Sequence, residues 1–161
     1  MRRGEKAVLL FIVLVVVAGV VRQLLRGEGQ HDRDIPFYST ATPEVTKAAM
    51  DVYRKSGCKE CHSLWTLSDM TQAVPAPMLD GIGSLRSETW LYDYLSAPNP
   101  QAILPSRLKQ KYRMPSYAAL SDDERHTLAS YLASLQVKDW YLEQTKKAEY
   151  EKLTGKEYQN K

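Results

Sequence analysis

An unbroken apolar run from Ala7 to Val21 (AVLLFIVLVVVAGVV) divides this chain of 161 residues more sharply than any other feature, because the remainder is rather polar. At about 1.5 Å per helical residue the run covers roughly 22 Å, short of the ~30 Å hydrocarbon core of a bilayer. Leu24 and Leu25 continue it, and Arg22 and Arg26 can bury their stems while keeping their charged heads at the interface. No small-x-small cleavage site follows Val21, which favours a retained anchor over a cleaved signal peptide. Arg2, Arg3, Lys6 and the amino terminus favour a cytoplasmic start, so the bulk of the chain is expected on the periplasmic side of the cytoplasmic membrane. The charge distribution agrees with this division. Met1 to His31 holds five Lys/Arg against two Asp/Glu, and the rest of the chain holds seventeen of each, so the net +3 is no argument for a nucleic-acid partner.

Residues 1–26 therefore read as a membrane anchor, and 27–41, with Gly, Pro and charges but no period, as a tether. Thr42-Pro43-Glu44 opens a helix with Val45, Ala48, Ala49, Val52 and Tyr53 on one face, ending at Gly57. A second helix is expected from Glu88 to about Ser96 behind Ser87, and Pro98 and Pro100 stop it. A third opens at the capping box Ser121 to Glu124 and carries Leu128, Tyr131, Leu132 and Leu135. No convincing strand pattern is present, so the expected fold is all-α. Three modest helices over residues 42–137 make a thin core, and two Pro- and Gly-rich loops, 74–83 and 97–105, need something to wrap around. A large buried cofactor answers both needs. Residues 138–161 form a charged tail, read as a partly helical solvated arm or partner contact.

Cys58-Lys59-Glu60-Cys61-His62 is a CxxCH motif, the signal for covalent c-type haem attachment. Two thiols three residues apart suit two thioether bonds, and the adjoining imidazole suits an axial ligand. A structural zinc would need two further ligands, yet the chain has no other cysteine, and His31 and His126 lie in the tether and on a polar helix face. A thioredoxin-like dithiol would need a βαβ context, which the pattern lacks.

Across residues 42–137 the chain resembles the class I monohaem cytochromes c. The resemblance rests on order as well as motif: a helix leading into Cys58 to His62, then Pro77-Met78-Leu79, then Met114-Pro115, then Leu120 to Leu132 (LSDDERHTLASYL). It implies one covalently bound haem c, with His62 on the iron and its Nδ1 bonded to the carbonyl of Pro77. It also implies that Ala49 and Tyr53 meet the face around Tyr131, with Ala49 standing where the family usually has glycine.

Met50, Met70, Met78 and Met114 are the internal candidates for the distal ligand, and a lone methionine is often core filler. Met114 has the chain length from His62, the stiffening Pro115 and the family pattern. A His62/Met114 pair would suit one-electron exchange, whereas an open iron would suit a haem-based gas sensor or peroxidase. Residues 94–121 contain no acid but carry Arg107, Lys109, Lys111 and Arg113, a basic rim for an acidic redox partner or an ordinary solvated loop. The expected function is a membrane-anchored electron carrier without turnover of its own. It would be either a free shuttle between redox proteins or a relay subunit of a respiratory or photosynthetic membrane complex. An anchor, a tether and one such domain also resemble the cytochrome c subunits of nitric oxide reductases and cbb-type oxidases.

Overall fold

The computed structural model describes residues 3–27, 35–65, 74 and 76–159. The chain forms two units, residues 1–35 and 36–161. In the first unit, helix α1 (Arg3–Gly27) leaves its side chains from Leu10 to Val21 exposed. Among the described residues no helix is long and apolar enough to cross a membrane. The transmembrane span expected over residues 1–26 is therefore not shown by the described residues.

In the second unit, α2 (Pro43–Lys55) starts where the Thr42 hydroxyl accepts the Val45 amide at 3.4 Å, and it buries Ala49 and Tyr53. Helix α3 (Glu88–Ser96) starts at Ser87 in the same way and buries Leu91 and Leu95. Helix α4 (Asp122–Ser134) has both halves of its capping box, Ser121 and Glu124, and buries Leu128, Ala129, Tyr131 and Leu132. Both α2 and α3 pack on α4, and Ala49 and Ala129 retain no accessible surface. Removing these side chains from water is the main stabilising contribution of the domain, at about 25 cal/mol per Å². Lys55 at the end of α2 pairs with Glu124 at the start of α4 at 2.8 Å, joining the two helices outside the core.

Two features depart from the sequence expectation, a short strand pair in a fold expected to be all-α and a helical tail that packs on the domain. β1 (Phe37–Ser39) and β2 (Leu135–Val137) form an antiparallel ladder, Phe37 opposite Val137 and Ser39 opposite Leu135. Three residues are too few for alternation to stand out, and each strand meets its partner at the far end of the domain. The end of the expected tether is thus part of the folded unit. The tail holds α5 (Asp139–Thr154), which is packed rather than a solvated arm. Phe37 meets Tyr141 edge to face at 5.6 Å, and Arg86 pairs with Glu149 at 3.0 Å. Among the described glycines the tightest position is Gly83, where an added Cβ would lie 2.0 Å from the Ala133 carbonyl oxygen.

Candidate functional site

The motif lies on a tight turn just after α2. Gly57 takes φ +70, which lets the chain reverse into a single 3-10 turn, Cys58–Glu60. The amides of Cys61 and His62 both donate to the Cys58 carbonyl, at 3.2 and 2.9 Å. Tyr53 of α2 donates its hydroxyl to the His62 carbonyl at 2.8 Å and fastens the turn to the core. Burial, with Cys58 nearby, pushes the Tyr53 phenol up to about 12, so it remains a donor throughout the physiological range.

The segment after the motif is held against Pro77 to Asp80 at three points. His62 Nδ1 donates to the Pro77 carbonyl at 2.8 Å, Leu79 N to the Ser63 carbonyl at 3.0 Å, and Trp65 N to the Asp80 carboxylate at 2.6 Å. Trp65 carries φ +56, a left-handed conformation uncommon for a bulky side chain, and its indole N–H donates to the Tyr131 hydroxyl at 3.2 Å. With Nδ1 engaged, Nε2 is the ring nitrogen left for a metal. Burial pushes the His62 imidazole below its ordinary value, against the smaller opposing pull of the Pro77 carbonyl, and thus favours the neutral ring that ligates metals.

Cys58, Cys61, His62, Pro77 and Met114 all line one cavity of about 170 Å³. Of the other methionine candidates, Met50 packs against the core, Met78 is exposed, and Met70 lies outside the described residues. Gln101 donates to the Met114 carbonyl at 3.0 Å, holding that residue's backbone. Leu79, Ile82, Leu91, Leu95, Leu104 and Leu128 supply apolar wall. An apolar cavity with two thiols, an imidazole with one free nitrogen and a thioether in its wall fits a flat apolar macrocycle with a borderline metal at its centre.

The wall also holds residues that sequence reasoning did not assign to a site: Arg86, Trp90, Tyr94, Gln101, Glu149 and Leu153. Trp90 and Tyr94 stack at 5.0 Å, and the Arg86 guanidinium lies over the Trp90 ring at 5.0 Å. Glu149 and Leu153 come from α5. Tyr141, Thr145, Glu149 and Leu153 recur every four residues on its half-buried face, but only two of the four carry apolar or aromatic side chains, so the period is faint in the sequence. The basic rim is partly engaged within the fold. Arg107 donates to the carbonyls of Leu153 and Lys152 at 3.0 and 3.1 Å, and Arg113 donates to the Leu108 carbonyl at 2.8 Å. Lys109 and Lys111 are exposed, Lys111 lying over the Tyr112 ring at 4.7 Å.

Fold and cavity together define a class, a small helical protein built to hold a macrocycle between its helices. A family model for cytochrome c matches residues 46–136, more than half of the chain, and the protein belongs to the cytochrome c family. It is therefore an electron-transfer haem protein with one covalently attached haem c. No curated protein and no solved structure matches the chain. The match stops at residue 136, so α5 lies beyond it.

Proposed function

We propose that this cytochrome c is held at the cytoplasmic membrane by α1 and carries single electrons on the periplasmic face, as a shuttle or as a relay subunit of a larger oxidoreductase complex. In this reading Cys58 and Cys61 bond the haem, and His62 and Met114 are its axial ligands. The observation that carries it is the convergence of these four residues on one apolar cavity, with His62 oriented by Pro77. When bound, the haem supplies one-electron exchange at iron. The chain's own residues hold the ring plane of His62, keep its imidazole neutral, brace the Met114 backbone through Gln101, and exclude water with leucines. The exposed apolar side chains from Leu10 to Val21 support the membrane contact, and exposed Lys109 and Lys111 support docking of an acidic redox partner.

The test is carbon monoxide added to the reduced protein at neutral pH. The wild type is expected to leave its spectrum unchanged, because both axial positions are filled, while Met114→Ala binds the gas. Rapid stoichiometric binding by the wild type would overturn the Met114 assignment and favour a sensor or peroxidase.

A further inference from the structure

Helix α5 lies outside the matched cytochrome c region, yet it brings a carboxylic acid to the wall of the cavity. Glu149 and Arg86 pair at 3.0 Å with side chains only 18% and 24% exposed, and both line the cavity that holds Cys58, Cys61, His62 and Met114. The pairing is fixed from both sides. The Arg86 guanidinium also donates to the Leu85 carbonyl at 2.8 Å and lies over Trp90. Arg107 caps the last carbonyls of α5 from the opposite loop, and Tyr141 seats its first turn on Phe37. Gly155 is fitted to this cap, since an added Cβ would lie 2.2 Å from the Arg107 guanidinium.

We propose that Glu149 is a potential-setting residue that ties electron uptake in this cavity to proton uptake at its own carboxylate. The proposal rests on the haem ligation described under Proposed function. The physical reason is charge. An electron from a one-electron donor protein lowers the positive charge in the cavity by one, and a carboxylate in the same poorly solvated space then loses part of its stabilisation. One proton from solvent joins a Glu149 oxygen, Arg86 keeps its charge, and the net charge of the cavity is the same before and after. On oxidation the electron leaves to an acceptor protein and the proton returns to water.

Burial already pushes the Glu149 carboxyl above its ordinary value, and Arg86 pulls it back. The other ionisable side chains of the cavity wall are Tyr53, Tyr94, Tyr112 and Tyr117, besides Cys58, Cys61 and His62 of the haem site; Arg107 lies at the end of α5, and Lys146 and Lys152 are on α5 itself. The phenol of Tyr94 is raised by burial and remains neutral over the range concerned, so it neither gives nor takes the proton.

The experiment is a potentiometric titration of the haem-loaded full chain against pH for the wild type, Glu149→Gln and Glu149→Asp. Covalent haem and visible spectra are checked first, so that failed haem attachment in the wild type, which would sink the underlying reading, is distinguished from failure of this one. The wild type is expected to lose up to about tenfold in its reduction equilibrium constant per pH unit over part of the range. E149Q is expected to be flat there, and E149D to keep a slope at a shifted pH. A wild type without a slope, or an E149Q slope equal to that of the wild type, would overturn the proposal.

Discussion

At the scale of single residues, backbone approach and hydrogen-bond geometry decide more than hydrophobicity does. His62 is recognisable from its motif, but its ring plane depends on the Pro77 carbonyl, and the backbone around it depends on Tyr53 and on the Asp80 bond to Trp65. Asp80 is 4% exposed and accepts the amide of a residue in a left-handed conformation, an arrangement with no signature in the linear sequence. Gly83 is another such position, because the room it needs is set by the Ala133 backbone and not by the 3-10 turn Ile82–Ser84 in which it lies. Gly83→Ala places a Cβ against a carbonyl that cannot move without disturbing the end of α4. The expected cost is about 3 kcal/mol, the upper end of ordinary overpacking. Guanidinium denaturation of the haem-loaded variant measures it, and an unchanged midpoint would contradict the close approach.

At the scale of elements, the helix starts were readable because capping chemistry is local. Thr42, Ser87 and the Ser121–Glu124 box all cap as their spacing demands. Glu124 also takes part in tertiary structure through Lys55. The Lys55 ammonium and the Ser121 amide and hydroxyl hold its carboxyl down at about 2. The folded value lies below the ordinary 4.5, so the stabilising contribution is complete above pH 4.5 and is lost as pH falls from there towards 2. Glu124→Gln is therefore expected to lose less stability than the wild type on acidification across that window, followed by thermal unfolding at a series of pH values and low salt. The carboxylate is exposed, so added salt weakens the effect. The β1–β2 ladder and the docking of α5 were not readable at this scale. Their partners are remote in sequence, the strands are three residues long, and the inner face of α5 mixes Thr and Glu with Tyr and Leu.

At the scale of the whole molecule, two features bear on partners. In the proposed function the exposed apolar stretch of α1 would meet a lipid or protein surface, and the exposed lysines near Met114 would meet an acidic redox partner. Gentle solubilisation of native membranes, separation of intact complexes by size and a stain for covalent haem distinguish the two forms of the proposed function. A haem band near the monomer is expected for a shuttle. A band within a large assembly identifies a relay subunit, and recovery only in the unsedimented fraction without detergent would count against the membrane contact.

What the sequence determined by itself is the chemistry that depends on neighbours along the chain. This comprises the CxxCH motif of Cys58, Cys61 and His62, the three capped helices, and the order of motifs that marks the cytochrome c family. These are short-range facts, set by spacing and by local hydrogen bonding. Met114 is already singled out by its spacing and by Pro115, and the fold places it in the cavity wall. That Tyr53 and Asp80 brace the chain around His62, and that Arg86 and Glu149 meet at the cavity wall, came from tertiary structure alone. Each of those depends on where distant segments meet, and a pair such as Arg86 and Glu149 shares no local signal until α5 folds back on the domain.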